Sequence, residues 1–137
     1  MTKKFLITVG ILGVLSVVFG AFGSHLLKGK ISEENMQVYN IALTYQIYHT
    51  LALLAMTFMN RYISRRYLNI IFWFFVVGIG LFSGSLFLIS TQEATNLIFG
   101  GIGFLTPLGG ISMILGWIVL IFAGVTYQHK KRAIHSD

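Results

Sequence analysis

The sequence predicts an all-α fold: an integral membrane four-helix transmembrane bundle with both termini cytoplasmic. Three observations carry this. Of 137 residues, 55% are hydrophobic and only 10% charged, against about 25% charged in an ordinary soluble domain. The apolar residues gather into four uncharged runs close to the ~20 residues a helix needs to cross the hydrocarbon core. The basic residues fall between those runs with a marked bias to one side. A single domain, residues 1–137, is expected, with spans at about 5–24, 38–59, 68–90 and 107–127.

The first run follows Lys3 and Lys4. It opens like a secretory signal, with small residues near Ala21 and Gly23, but the apolar core of a signal is only about 7–15 residues, so a retained span is expected. Gly13, Ser16, Gly20 and Gly23 recur at helical spacing, a small-residue stripe of the kind that lets helices approach closely in lipid. A polar connection with Lys28, Lys30, Glu33 and Glu34 follows. Ser32 before two acids predicts an N-cap with negative charge in the first helical turn. The second helix then runs to about Asn60, which leaves His49 near the membrane midplane.

Arg61, Arg65 and Arg66 fill the next short loop, flanked by Tyr62 and Tyr67. The third span, about 68–90, has Trp73 near its start and contains Gly80 and Gly84 in a GxxxG pattern, with Ser83 and Ser85 beside it, which predicts close packing and cross-helix hydroxyl bonds. Residues 91–105 form a loop with one acid, Glu93, and a glycine-rich apolar part suited to the interface. Thr106 and Pro107 predict an N-cap and first helical residue. Gly109, Ser112, Gly116 and Ala123 give the fourth span its own small-residue face, and Lys130, Lys131 and Arg132 follow it. Trp73, Tyr62, Tyr67 and Tyr127 read as interfacial anchors, and the deeper Trp117 as core packing.

Placing the N-terminus, the second loop and the C-terminus in the cytoplasm puts eight basic residues there: Lys3, Lys4, Arg61, Arg65, Arg66, Lys130, Lys131 and Arg132. Lys28 and Lys30 lie opposite with Glu33, Glu34 and Glu93, so the positive-inside rule favours this orientation. The net charge of +6 forms no patch interleaved with aromatics, and no nucleic-acid partner is expected. Cysteine is absent, which excludes disulfides, thiolate metal sites and covalent c-type haem attachment.

The chemistry-bearing feature is the second span, YNIALTYQIYHTLALLAM at 39–56. Tyr45, Gln46 and His49 fall at i,i+3 and i,i+4, so a helix brings them to one face. An imidazole at membrane depth defaults to a functional hypothesis, here a proton acceptor or a ligand site. The competing role is interhelical glue, with His49 bonded to Tyr45, Ser83 or Ser85. No acid or arginine lies in any span to complete a relay, and that favours glue. His25 is about 15 Å from His49 in membrane depth at 1.5 Å per residue, too far for shared ligation of one ion. Neither a metal nor a cofactor is expected. Gly109-Gly110 after Pro107 has neither the lysine nor the strand of a phosphate loop.

Four stretches in order, GAFGSHLL at 20–27, Tyr39 to His49 followed by LALL, LFSGSLFL at 81–88 and TPLGGISMILGW at 106–117, resemble the small four-span membrane proteins of domain-of-unknown-function family 423 (YgdD/YwdK-like). The resemblance covers nearly the whole chain. Ser24 stands where that family usually has alanine, and the third loop is longer than typical. The resemblance implies a multi-pass protein of the cell membrane with no established biochemical activity and no catalytic residues to carry over. The reading favoured here is non-enzymatic: support of membrane or envelope organisation through contacts with lipid, with itself or with a membrane-protein partner. A small oligomeric transporter or channel component with Tyr45, Gln46 and His49 along its path is the alternative, and a quinone-handling or enzymatic subunit is third.

Overall fold

The computed structural model describes residues 2–127 and is all-helical over them. The Lys130-Lys131-Arg132 cluster lies outside the described residues. α1 (Thr2–Ala21) runs into a π-helical segment, Phe22–Leu27. α2 (Glu33–Phe58) ends in a 3-10 turn at Met59–Arg61, and α3 (Arg65–Ser90) follows. A single turn, α4 (Gln92–Thr95), and a 3-10 turn, Ile102–Phe104, lead to α5 (Leu105–Val125). With their helical extensions, α1, α2, α3 and α5 are each long and apolar enough to cross a membrane.

The helix starts follow local chemistry. Ser32 caps α2, its hydroxyl accepting from the Asn35 N–H at 3.2 Å, with Glu33 and Glu34 in the first turn. Ser64 does the same for α3 through the Tyr67 N–H. Gly29, at φ +78°, supplies the left-handed turn between α1 and α2 that a side chain would strain. The predicted Thr106 cap is corrected. The 3-10 turn leads directly into α5, whose first residue is Leu105, and the Thr106 hydroxyl pairs with Ser85 Oγ at 2.6 Å instead. Pro107 still sits in the first turn, where its missing N–H has no intrahelical partner to lose.

α1 packs on α2, α2 on α3, and α3 most extensively on α5. The α3–α5 contact is close because glycines face each other there. A Cβ on Gly109 would collide with the Phe82 backbone, one on Gly116 would meet the Phe75 ring at 2.5 Å, and one on Gly78 would meet Met113 Cγ at 2.6 Å. The main core, around Phe5, Leu53, Leu68, Ile71 and Phe75, lies toward the end where the chain starts. A smaller cluster of Leu27, Ile31 and Tyr39 closes the opposite end. There Glu93, in α4, reaches across to α2: one carboxylate oxygen accepts from the Ser32 N–H at 2.6 Å and the other from Asn35 Nδ2 at 2.7 Å. A carboxylate at a helix N-terminus also meets the positive end of the helix dipole.

The first span's small stripe and the GxxxG motif are corrected in part. Gly23 packs tightly, with Tyr39 Cε1 at 2.8 Å from where its Cβ would be, and Gly20 makes ordinary contact with Leu43. Gly13, Gly80 and Gly84 have open space at that position. Gly80 and Gly84 line instead a cleft of about 760 Å3 between α1 and α3, walled also by Leu12, Phe19 and Phe87. The geometry is simple: Gly78 and Gly80 are roughly 200° apart around a helix. With Gly78 against α5, Gly80 points away from it.

Candidate functional site

The polar residues of the second span divide between two neighbours. His49 is buried on the side of α3 and α5, and Gln46 is buried against α1. Tyr45 is 42% exposed, its ring 4.8 Å from that of Phe82. Helical spacing brings the three within about 100° of arc, so the two ends of that arc meet different helices.

His49 has both ring nitrogens engaged. Nδ1 lies 2.8 Å from the Tyr45 carbonyl oxygen, and Nε2 lies 3.1 Å from Trp117 Nε1. A carbonyl only accepts and an indole N–H only donates. Nδ1 therefore carries the hydrogen and Nε2 accepts, which fixes the neutral Nδ1–H tautomer. A proton on Nε2 would set two donors against each other, so the Trp117 bond requires the neutral ring. Phe75 stands edge-on at 5.0 Å between ring centroids, Trp117 at 5.9 Å, and the Tyr45 ring stacks at 6.1 Å. The expected partners are corrected here. Tyr45 contributes its backbone rather than its hydroxyl, and neither serine bonds His49. Ser85 bonds the Phe82 carbonyl and Thr106, and Ser83 Oγ is buried without a partner among the described residues.

Trp117 is the residue that sequence reasoning undervalued, taking it only for core packing. The available signal was depth, since His49 and Trp117 both lie near the middle of their runs. Gln46 Nε2 donates to Ser16 Oγ at 2.9 Å and to the Leu12 carbonyl at 3.3 Å. Ser16, expected as a spacer, is thus a hydrogen-bond partner that passes its own hydrogen to Leu12 O at 2.8 Å. Ser112 crosses from α5 to the Phe74 carbonyl at 2.8 Å. Tyr39 donates to the Phe19 carbonyl at 2.6 Å, in the last α-helical turn before the π-helical segment. Each membrane-length helix is therefore tied to a neighbour by at least one polar bond.

His25 is exposed on that π-helical segment, away from buried mid-helix His49. Among the described residues no three His, Asp or Glu side chains converge as metal ligands. The arrangement couples helices, and its polar groups are directed at one another.

Residues 19–110 match the family model described as a protein of unknown function, DUF423. The chain is 37% identical over 126 residues to the UPF0382 membrane protein YwdK of Bacillus subtilis, covering 91% of this chain and 98% of that one. It is 40% identical over 121 residues to a UPF0382 membrane protein of Staphylococcus aureus, covering 88% and 94%. The UPF0382 inner membrane protein YgdD of Escherichia coli K12 is 33% identical over 135 residues, covering 95% and 96%. No solved structure matches. Four membrane-length helices, a family model spanning most of the sequence and relatives aligned nearly end to end agree, and the chain belongs to the DUF423 family of membrane proteins of unknown function.

Proposed function

We propose that this protein is non-enzymatic and supports membrane or envelope organisation through helix, lipid or partner contacts. It would span the cell membrane four times at about 5–24, 38–59, 68–90 and 107–127. The observation that carries the reading is the closed hydrogen bonding of His49: both nitrogens are occupied inside the bundle, so no proton acceptor is left for a relay. Gln46, Ser16, Ser85 and Ser112 serve the same purpose of joining helices, while Gly23, Gly109 and Gly116 set their spacing. Nitrogen NMR of labelled histidine, in protein reconstituted in lipid and titrated from about pH 5 to 8 around the ordinary histidine value, tests this. A ring that stays neutral with one fixed tautomer is expected. A ring that titrates would overturn the structural reading.

Both termini and the loop at 61–66 lie in the cytoplasm in this proposal. The support is charge. Lys3, Lys4, Arg61, Arg65 and Arg66 gather at one end, joined there by the Lys4–Asn69 and Asn60–Thr2 bonds, and the acids Glu33, Glu34 and Glu93 gather at the other. Alkaline phosphatase fused after residue 30 should be active and after residue 63 inactive; the reverse pattern would refute the orientation.

A second reading, an oligomeric transporter or channel component, draws on Gln46 lining the open cleft between α1 and α3. It predicts a flux in proteoliposomes that Gln46→Leu abolishes while the protein stays folded.

A further inference from the structure

We propose that the protein binds an anionic phospholipid in a groove between α3 and α5 at its basic end. Arg66 and Lys4 hold the phosphate, and one acyl chain lies along residues 70–77. The groove has a volume of about 360 Å3 and is lined by Asn69, Ile70, Trp73, Phe74, Val77 and Ser112. Asn69 Oδ1 at its upper end accepts from Lys4 Nζ at 2.7 Å, Ser112 donates to the Phe74 carbonyl, and Ile70, Phe74 and Val77 line the rest. Below its mouth the groove therefore offers apolar surface.

The mouth is cationic. Lys4 belongs to α1, yet its ammonium is held over α3, 4.0 Å from the Phe72 ring centroid and 5.2 Å from that of Trp73. Arg66 stands one turn above Asn69 and Ile70 on the same face of α3, with Trp73 and Val77 continuing the stripe. Among the described residues no acid lies at this end, so Arg61, Arg65 and Arg66 have no carboxylate to neutralise them there. A basic cluster beside a membrane helix attracts anionic headgroups, at about 1 kcal/mol per charge.

Depth selects the occupant. From Asn69 to Val77 the groove descends about 12 Å at 1.5 Å per residue, within the roughly 15 Å that half a 30 Å hydrocarbon core provides. A lipid of the leaflet at the basic end thus places its phosphate at Arg66 and its chain in the groove. Trp73, 54% exposed with an amphipathic ring, sits near the boundary between the two. The inference holds whether the protein organises membranes or transports a solute.

The test is native mass spectrometry on the full chain, purified in detergent and equilibrated with equimolar phosphatidylglycerol and phosphatidylcholine. Wild type should retain phosphatidylglycerol preferentially. Arg66→Gln should lower that retention about fivefold, while Arg61→Gln, with the same charge change away from the groove, should leave it nearly unaltered. Val77→Trp, which fills the groove without touching charge, should lower it as Arg66→Gln does. Equal retention of the two lipids would overturn the proposal. So would equal losses in the two arginine variants, the mark of a diffuse basic surface. If Val77→Trp does not fold, the contrast between the arginine variants decides.

Discussion

Replacing Trp117 with phenylalanine keeps an aromatic ring against His49 and Phe75 and removes one N–H. In wild type that N–H is the donor to His49 Nε2 at 3.1 Å, and the imidazole is only 5% exposed. Two costs follow. The interhelical bond itself contributes about 0.6 kcal/mol on average in membranes, up to about 1.7. The acceptor left behind is buried, and an unpaired buried polar group costs about 1–3 kcal/mol. A net loss of about 2 kcal/mol is expected in reversible detergent unfolding. Both costs should vanish when His49 is already phenylalanine, because neither the bond nor an orphaned nitrogen then remains. A double-mutant cycle isolates them, and contacting residues normally show a coupling of at least 0.5 kcal/mol. Coupling of about 2 kcal/mol is expected. Coupling within error of zero, or a wild-type nitrogen spectrum placing the hydrogen on Nε2, would refute the tautomer argument and the bond together.

The glycines offer a second contrast. Gly109→Ala should destabilise by about 1–3 kcal/mol or more, because its methyl meets the Phe82 backbone, whereas Gly80→Ala and Gly84→Ala should stay within about 0.5 kcal/mol in the same unfolding assay; equal effects would count against the α3–α5 packing. Ser83→Ala should stabilise by about 1 kcal/mol, since the hydroxyl it removes is buried and unpaired, and a clear loss of stability would mean that the hydroxyl has a partner. Glu93→Ala should cost about 1 kcal/mol through two lost bonds at the start of α2, read as faster backbone amide exchange at Ser32, whose N–H loses its acceptor; unchanged exchange there would refute the clamp.

The helices were legible in the sequence because apolar runs of membrane length are bounded by charges and by capping serines such as Ser32. Which helix a given face meets was not legible. The spacing of Tyr45, Gln46 and His49 defines an arc, but the order of the helices around α2 decides that Gln46 meets Ser16 while His49 meets Trp117. The GxxxG motif shows the same limit, since Gly80 and Gly84 face open space within this chain. Small residues mark a surface that permits close approach, and α3 has two such surfaces, of which the one bearing Gly78 is used. Glu93 read as a lone loop acid because its partners Ser32 and Asn35 are distant in sequence, and only folding brings α4 to the start of α2.

With His49 held neutral by its two partners, none of the four membrane-length helices carries a formal charge between its flanking basic and acidic residues. A transmembrane potential does work of about 2.3 kcal/mol per elementary charge per 100 mV, and only on charges that move through the field. Here it finds none in the polar core. Energising or collapsing the membrane should therefore leave the helix arrangement as it was, and the bundle is electrically silent.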